Sequence, residues 1–412
     1  MVILYTIGLF LYFLGARLAA PFSKKISLFV SGRKGLLDRI EEAVKGEESI
    51  IWFHCPSVGE FEQARPVIER YKERGGTDKI LLTFFSPSGY ELRKNYPYAD
   101  WVFYLPIDSP RRSSRFLDIV KPKVAVFSKY DFWYFYLMGL KNRGIPTYII
   151  SAIFREEQPF FKGWGCMWRE MLKCFTALYV QNEESRKLLQ WACNLENVIV
   201  AGDTRFDRVD DIVRGAAKKN VIVDSFITGK RVMIAGSTWE EDEKRILEAL
   251  EGKDLKIILA PHEVYPEHIS SIDKMFAGYK VVKYTQNPSA KEAEDADVLV
   301  IDCIGLLSSL YGYGDFAYIG GGFGAGIHNI LEAATYGKGV IFGPKYHKFQ
   351  EAKDLVAAGG AVSYTTSEEL SGILGEWLGD SENLKKAGNI SKKYVEEHLG
   401  ATDLFLKNVF SL

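Results

Sequence analysis

The sequence predicts an α/β fold with two halves, each built around a parallel β-sheet. Short apolar runs alternate with amphipathic runs from residue 50 onward. Strands that alternate with helices favour right-handed crossovers and a parallel sheet. A polar stretch at 207–220 interrupts this alternation before it resumes. The chain has 412 residues, more than the about 250–300 that one hydrophobic core usually serves, so two domains are expected.

The strands and helices of each half follow from the apolar pattern. In the first half, strands are predicted at 49–54, 79–85, 100–106, 123–128, 146–151, 176–181 and 197–202, and helices at 61–75, 131–144 and 182–192. In the second half, strands are predicted at 231–237, 256–262, 280–284, 297–302, 316–321 and 339–344, and helices at 240–252, 329–337, 349–359 and over most of the chain after 366. Ligands of parallel sheets bind beyond the carboxyl ends of strands, so we expect a cleft between the halves to hold the site.

We expect the halves to join near residues 205–228. The predicted division is an amino-terminal apolar helix (1–22), a first domain (23–205), a second domain (206–385) and terminal helices (386–412) that could pack back on the first domain.

Composition excludes several classes of protein. Hydrophobic residues make up 47% and charged residues 25% of the chain, which excludes wholesale disorder and a polytopic membrane protein. Lys and Arg number 52 against 53 Asp and Glu, so a globally basic nucleic-acid binder is not expected. The five cysteines form no CxxC pair, which favours a reducing compartment over a disulfide framework or structural zinc site.

The amino terminus is apolar and then basic. Residues 2–16 read VILYTIGLFLYFLGA, and five cations precede the first acidic residue, Asp38: Arg17, Lys24, Lys25, Arg33 and Lys34. A secretory signal would carry its positive charge before the apolar run. A buried core helix is the other alternative. We predict a membrane anchor or shallow insertion, with the remaining chain in the cytosol by the positive-inside rule.

Three turns after predicted strands of the first half carry chemistry. Ser57 to Gly59 precede Glu60 at a helix entry, where a carboxylate serves as a general base or as a helix cap. A second turn holds Ser86 and Ser88. A third places Asp131 at a predicted helix start, where a functional carboxylate and a helix cap are again the two interpretations. The loop 152–164 carries Arg155 and Lys162 around two aromatics, which suits a phosphate-bearing amphiphile. The alternatives are a solvated lid or an interdomain contact.

The second half contains a glycine-rich turn at 320–326 followed by a helix. Such a turn lets the backbone approach a ligand and present N–H groups. It matches neither the dinucleotide fingerprint nor the P-loop. Glu332 could cap the helix or bind a ribose. His262, Glu263 and His268 lack the HExxH spacing of a metal site, and no GxSxG elbow occurs.

Taken in order, these segments resemble the Kdo transferases of Gram-negative bacteria, which move 3-deoxy-D-manno-octulosonic acid (Kdo) from CMP-Kdo to the lipid A precursor. The segments that carry the resemblance are SVGE (57–60), SPSG (86–89), GDTRFD (202–207), AGSTWE (235–240) and GIHNILEAATYGKGVIFGP (326–344). The last is similar to the family's GGHNPLEPAAFGKPVIFGP. The resemblance implies a glycosyltransferase B fold, with acceptor binding in the first domain and nucleotide-sugar binding in the second.

The resemblance also implies site residues. Glu60 matches the general base, and Asp131 and Arg205 match positions that support the transition state. The implied donor contacts are Gly236, Ser237, Thr238, Pro261, His262, Gly305, Leu306, Leu307, Asn329, Ile330, Leu331 and Glu332. The implied acceptor contacts are Ser57, Gly59, Ser86, Ser88, Arg155 and Lys162.

This sequence departs from the family at three of these motifs. The family's Pro-Arg-His is Pro261-His262-Glu263 here, its Gly-Glu-Met is Gly305-Leu306-Leu307, and its Glu-Thr-Glu-Leu-Trp is KYDFW at 129–133.

The implied activity is inverting transfer of Kdo from CMP-Kdo to a sugar hydroxyl of the tetra-acylated lipid A precursor. It needs no metal or other cofactor, and no DxD sequence occurs. The implied location is the inner membrane, with the catalytic domains on the cytoplasmic side and no nucleic-acid partner. The alternatives are a UDP-sugar 2-epimerase, a lipid-linked N-acetylglucosaminyl transferase, and a nucleotide-sugar binding protein that has lost catalysis.

Overall fold

The computed structural model describes residues 1–215 and 219–412. The predicted join near 205–228 includes residues 216–218, which lie outside the described residues. Two compact units divide the chain: the first comprises Met1–Arg208 and Leu399–Leu412, and the second Val209–His398.

The described residues contain fourteen strands. They are β1 Ile50–Cys55, β2 Lys79–Phe84, β3 Trp101–Tyr104, β4 Val124–Ser128, β5 Thr147–Ala152, β6 Ala177–Val180, β7 Val198–Val200, β8 Arg231–Thr238, β9 Leu255–Pro261, β10 Val281–Lys283, β11 Val298–Val300, β12 Phe316–Ile319, β13 Val340–Phe342 and β14 Ala361–Ser363. Thirteen of them coincide with predicted strands to within a few residues at each end. The short β14 was not predicted, because its three residues follow a helix with little apolar pattern.

Twenty α-helices accompany the strands in the same residues. They are α1 Val2–Ala19, α2 Lys24–Ser31, α3 Leu36–Ala43, α4 Val58–Glu73, α5 Pro87–Arg93, α6 Pro110–Val120, α7 Tyr134–Asn142, α8 Cys166–Leu172, α9 Glu183–Cys193, α10 Thr204–Gly215, α11 Val221–Phe226, α12 Glu240–Ala249, α13 Pro266–Met275, α14 Ala290–Asp295, α15 Leu307–Leu310, α16 Leu331–Thr335, α17 Gln350–Ala358, α18 Ser367–Gly379, α19 Ser381–Glu397 and α20 Ala401–Phe410.

Each unit has its own seven-stranded sheet, and all strand pairs in both are parallel. The order is β3-β2-β1-β4-β5-β6-β7 in the first unit and β10-β11-β9-β8-β12-β13-β14 in the second. The predicted α/β fold class is therefore confirmed. The chain order reverses between β1 and β4 and between β8 and β12, and such switch points are where open parallel sheets bind ligands.

The central strands are apolar runs because helices cover both faces of each sheet. All six residues of β1 and all seven of β9 are buried. In the first unit α20 completes the cover: Phe405 packs on the rings of Tyr148 and Tyr179. The backbone N–H groups of Gly400 and Thr402 donate to the buried Asp207 carboxylate, each at 2.7 Å. This contact joins the end of the chain to the first unit.

Helix α1 stands apart from the core. None of its residues is buried, which argues against the buried-core alternative. The hydroxyl of Tyr5 on this helix donates to Asp108 Oδ2 at 2.7 Å, which connects α1 to the rest of the first unit. Residues Val2–Phe22 are long and apolar enough to cross a membrane, with a mean hydropathy of 1.8. A signal sequence would have the same length and composition.

Candidate functional site

The turn between β1 and α4 carries Glu60. Ser57 is the N-cap of α4, and its hydroxyl oxygen accepts the backbone N–H of Gly59 at 3.2 Å. The same hydroxyl donates to Glu60 Oε2 at 2.5 Å. Glu60 lies in the first turn of the helix and its side chain is half-buried. Ser57 rather than Glu60 therefore caps the helix, and the carboxylate is held where the helix dipole favours negative charge.

The SPSG turn lies beside the Glu60 turn. Ser86 is the N-cap of α5, and its hydroxyl lies 2.9 Å from that of Ser88. The Ser86 backbone N–H donates to the carbonyl of Pro56 at 2.8 Å. Neighbouring parallel strands β1 and β2 therefore bring two predicted acceptor turns into direct contact.

Asp131 does not cap a helix, contrary to one of the two interpretations of the sequence. Helix α7 begins at Tyr134, and its N-cap residue is Trp133. Asp131 Oδ2 instead lies 2.5 Å from His54 Nε2 and accepts the Trp133 indole N–H at 2.8 Å. The loop after β4 runs on for several residues before the helix, so the carboxylate turns back toward β1.

His54 is a functional candidate that the sequence analysis missed. It is fully buried at the end of β1, and its Nδ1 lies 2.8 Å from Thr83 Oγ1. Thr83 also accepts the indole N–H of Trp52 at 2.8 Å. A buried chain of polar groups therefore leads from Trp52 through Thr83 and His54 to Asp131. The signal was the single His within an otherwise apolar strand, a position where imidazole needs partners.

Arg205 is held by a buried carboxylate, Asp203, which the sequence analysis also missed. Arg205 Nε donates to Asp203 Oδ2 at 2.9 Å, and the amides of Gln63 and Gln181 donate to the same carboxylate at 3.2 and 2.9 Å. Burial opposes the charge of Asp203, but the Arg205 guanidinium outweighs it and holds the pKa of the carboxyl below its ordinary value. The network fixes Arg205 at the carboxyl edge of the first sheet.

The loop after β5 is less closely tied to these turns. Arg155 is exposed and hydrogen-bonds to Tyr130, which follows β4. Lys162 follows a short helical turn, and its carbonyl accepts from Arg169 at 2.9 Å. These contacts thus connect Arg155 to the loop after β4, beside Asp131, and not to the serine turns that follow β1 and β2.

In the second unit the ends of β8, β9 and β12 meet. The N–H of Gly320 donates to the carbonyl of Gly236 at 2.9 Å, and the N–H of His262, which follows Pro261, donates to that of Thr238 at 2.9 Å. A Cβ at Gly320 would lie 2.2 Å from the Ser237 carbonyl oxygen. Glycine is therefore required there because two backbones touch. Ser237 has a φ of 52°, a strained conformation of the kind found at binding sites.

Three aromatic rings stack beside this junction. The His262 ring lies 4.8 Å from that of Trp239 and 4.3 Å from that of His328. The Trp239 indole donates to His328 Nε2 at 3.1 Å. Burial, together with the neighbouring His262, lowers the pKa of His328 to about 4. His262 was predicted as a donor contact, whereas Trp239 and His328 were missed although both lie within the quoted motifs.

The remaining predicted donor residues lie on two adjoining segments. Asn329 Oδ1 accepts the N–H of Leu331 at 3.1 Å, and its amide donates to Glu332 Oε1 at 3.2 Å. Asn329 therefore bonds to the first turn of α16, whose N-cap residue is the buried Ile330. On the other segment Gly305 has a φ of 96° and Leu306 precedes α15. A Cβ at Gly236 would meet the Leu307 side chain at 2.9 Å, so this segment touches β8.

Two buried acids begin α12, and one of them, Asp242, holds the glycine-rich turn. Asp242 accepts the backbone N–H groups of Gly321 at 2.9 Å and Trp239 at 3.0 Å. Glu243 pairs with His268 at 2.9 Å, so His268 is engaged away from His262. Among residues 1–215 and 219–412, no group of three His, Cys, Asp or Glu side chains is placed to hold a metal ion.

Comparison with known proteins finds similarity to one family of transferases. A family model described as 3-deoxy-D-manno-octulosonic-acid transferase (Kdo transferase) matches residues 30–208. The 3-deoxy-D-manno-octulosonic acid transferase of Aquifex aeolicus is 27% identical over 365 residues, which is 87% of this chain and 95% of that relative. The chain is thus similar to the Kdo transferases, through the family model over its first half and through this relative over most of its length.

Solved structures show the fold. The UDP-GlcNAc 2-epimerase of Neisseria meningitidis matches 89% of this chain and all of its own, at 16% identity and a TM-score of 0.61. The MurG of Acinetobacter baumannii matches 89% of this chain and all of its own, at 12% identity and a TM-score of 0.56. The glycosyltransferase B fold expected for the family is confirmed.

Proposed function

We propose that this protein is an inverting glycosyltransferase that moves Kdo from CMP-Kdo to a sugar hydroxyl of a tetra-acylated lipid A precursor. The first unit binds the acceptor and supplies the base, and the second unit binds the donor. The observation that carries the acceptor class is an apolar cavity that ends beside the Glu60 turn.

This cavity lies against α1 and α2 in the first unit. Its volume is about 630 Å³, and Leu11, Tyr12, Ile26, Phe29 and Ser86 are among the residues that line it. Ser86 is one backbone hydrogen bond from Pro56, directly before Ser57. An acyl chain in the cavity would leave a sugar near Glu60, and burial of each CH₂ would contribute about 0.8 kcal/mol.

The proposed chemistry is a single displacement. The acceptor oxygen forms a bond to the anomeric carbon of Kdo, the bond to the CMP phosphate oxygen breaks with its electron pair leaving on phosphate, and Glu60 takes the acceptor's proton. A positioned base contributes about 10²–10⁴-fold in rate. The Ser57 hydroxyl aims the Glu60 carboxylate, and we propose that Asp131 and Arg205 stabilise the transition state.

We propose that the second unit binds CMP at the meeting point of β8, β9 and β12. The contacts are Gly236 to Thr238, Pro261 and His262, the segment 305–307 and the segment 329–332. The N–H groups of Gly320, Gly321, Gly324 and Gly326 already donate within the protein. We propose that other N–H groups of the glycine-rich turn and of α16 face developing negative charge on the phosphate, a role that electrostatic preorganisation favours. CMP-Kdo has one phosphate, and the proposal includes no resident metal. Transfer that persists in a chelator supports this point.

The membrane association is likewise proposed. Exposed apolar residues on α1, including Ile3, Leu4, Phe10 and Leu18, would hold the enzyme at the inner membrane with both units on the cytoplasmic side. The acylated acceptor lies in that membrane, so the anchor brings enzyme and acceptor together.

Glu60→Gln tests the proposal, with Glu62→Gln as the matched control on the same helix. Glu62 forms ion pairs with Arg93 and Arg65 and is not part of the proposed site. Mass spectrometry of the product from CMP-Kdo and a lipid A precursor should show a loss of about 10²–10⁴-fold for Glu60→Gln and near-normal transfer for Glu62→Gln. Normal turnover in Glu60→Gln refutes the base. Product from UDP-N-acetylglucosamine but not from CMP-Kdo refutes the donor.

A further inference from the structure

A second cavity of the first unit is strongly basic. It has a volume of about 420 Å³ and lies between α1, α2 and α6. Five of its lining residues are cations and one is an acid: Arg17, Arg33, Lys34, Arg112, Arg115 and Asp38. The cavity is thus lined with far more positive than negative charge, although the whole chain has a net charge of only -1.

Most of this charge is not neutralised by the protein. Asp38 accepts from Arg115 at 2.6 Å. In the described parts of the chain, no carboxylate lies within ion-pair distance of Arg17, Lys34 or Arg112. An anion that enters the cavity would therefore meet cations without having to displace a carboxylate from them.

Arg33 is fixed at the wall of the cavity. Its guanidinium donates to the carbonyls of Leu105, Phe29 and Phe85 at 2.9, 2.9 and 2.7 Å. It also lies 4.0 Å from the centre of the Phe29 ring. A guanidinium has five N–H donors, so two remain after these three bonds. Arg33 therefore offers a rigid positive charge, whereas the other cations are on flexible side chains.

An apolar groove continues from the basic cavity along α1. It has a volume of about 200 Å³, and Leu9, Phe10 and Leu14 line it. Phe13, Arg17, Ile107 and Arg112 line both the groove and the cavity. The two spaces are therefore neighbours, one basic and one apolar.

The groove contains one acid, Asp108, whose charge is already compensated. Its carboxylate accepts from the hydroxyls of Tyr5 and Ser113, both at 2.7 Å, and from the backbone N–H groups of Phe135 and Tyr136. Asp108 is thus a structural anchor for α1 rather than a charge that repels an anion.

We propose that this paired cavity and groove bind an anionic phospholipid of the membrane, with the phosphate among Arg17, Arg33, Lys34 and Arg112 and an acyl chain along α1. A cationic cavity that opens into an apolar groove on an apolar, exposed helix matches an anionic amphiphile better than a soluble phosphate. The site would fix the depth and orientation of the first unit at the membrane surface.

The location argues for a membrane lipid rather than the sugar acceptor. The cavity beside Ser86 is lined by Leu11, Tyr12, Gly15 and Ala19 of α1, whereas the groove is lined by Leu9, Phe10, Phe13 and Leu14. These sets lie on different faces of the helix. None of the predicted acceptor residues lines the basic cavity or the groove.

A pair of double variants tests the site. Arg112→Gln with Lys34→Gln removes two cations that line the cavity. Arg111→Gln with Lys24→Gln is the control, because these two exposed cations lie on α6 and α2 but do not line the cavity. Both lose the same net charge, so general attraction to an anionic surface falls equally. The full chain is incubated with vesicles of phosphatidylcholine, with and without phosphatidylglycerol, and thermal unfolding checks that both variants fold.

The expected result is a selective loss. Binding to phosphatidylglycerol vesicles should be about ten-fold weaker for the cavity variant than for the control variant, and native mass spectrometry should find phosphatidylglycerol on the wild type and on the control only. Equal losses of vesicle binding in both variants overturn the site. The site is also overturned if glycerol phosphate stabilises the wild type against thermal unfolding as strongly as the lipid does. Retention of the lipid A precursor in place of phosphatidylglycerol overturns the assignment to a membrane lipid. These measurements do not use the sugar donor CMP-Kdo, so their outcome is independent of the proposed transfer reaction.

Discussion

Replacement of His54 by Leu should destabilise the first unit and remove one of the two hydrogen bonds that hold Asp131. His54 is fully buried, and both of its ring nitrogens have partners: Thr83 Oγ1 at 2.8 Å and Asp131 Oδ2 at 2.5 Å. Leucine fills a similar volume but makes neither bond. The loss is therefore one of hydrogen bonds rather than of packing.

The magnitude follows from the two bonds. A hydrogen bond to a carboxylate contributes about 1.5–3 kcal/mol and a neutral one about 1 kcal/mol. Thr83 keeps the Trp52 indole and Asp131 keeps the Trp133 indole, so neither is left without a partner. We expect His54→Leu to lower the free energy of unfolding of the first unit by roughly 2–4 kcal/mol, or its Tm by roughly 5–12 °C for a unit of this size.

Thermal unfolding followed by circular dichroism, with and without CMP, measures the effect. CMP should stabilise the transition of the second unit in wild type and variant alike, which separates the two units. Asp131→Asn is the companion variant, because its amide can still bond to His54, and its cost should be about 1 kcal/mol. If His54→Leu unfolds within about 0.5 kcal/mol of wild type, the typical range for a neutral surface change, the bonds seen at His54 do not contribute to stability and the reasoning fails.

Two further predictions concern the second unit. The pKa of His328 is lowered to about 4 in the folded protein from about 6.5 when unfolded, so the folded state binds fewer protons between these values and stability is lost as the pH falls from about 6.5 toward 4. Because the ring is partly exposed, screening limits the loss of unfolding free energy to roughly 1–2 kcal/mol. Unfolding measured at a series of pH values should show this loss in the wild type and not in His328→Asn. Parallel curves of stability against pH for the two proteins would contradict the prediction. Gly320→Ala places a Cβ 2.2 Å from the Ser237 oxygen and should weaken CMP binding about ten-fold, at a cost of roughly 1–3 kcal/mol in stability. Gly324→Ala, whose Cβ meets its nearest neighbour at 3.6 Å, should leave calorimetric CMP binding unchanged; equal effects would show that the backbone contact is not what matters.

Much of the fold could be predicted because it is recorded locally. Apolar runs marked thirteen strands, and serines at turn positions marked helix starts such as Ser57 and Ser86. Glu60 was found because its turn lies directly between a strand and a helix. The glycine-rich turn was likewise visible as a cluster, and the family's motifs indicated proposed donor residues on other segments, such as 236–238 and 329–332.

What the sequence could not predict is how distant side chains combine. Asp131 was expected at a helix start, yet α7 begins at Tyr134 and the carboxylate meets His54, which is 77 positions away. Asp203 was overlooked beside Arg205, although it is the residue that holds Arg205 in place. The stack of Trp239, His262 and His328 joins three separate loops.

The sequence by itself determined the alternation of strands and helices, the turns that end them and the apolar, then basic amino terminus, because each depends on residues that are neighbours along the chain. The tertiary structure decided which of those turns meet. The order β3-β2-β1-β4 places β1 between β2 and β4, so that the buried Thr83 and His54 form one hydrogen-bonded chain with the partly exposed Asp131. The basic cavity arose in the same way, because Arg17, Lys34 and Arg112 are brought together only when α1, α2 and α6 pack. Strand order and helix packing are set by burial over the whole domain, and no local pattern carries that information.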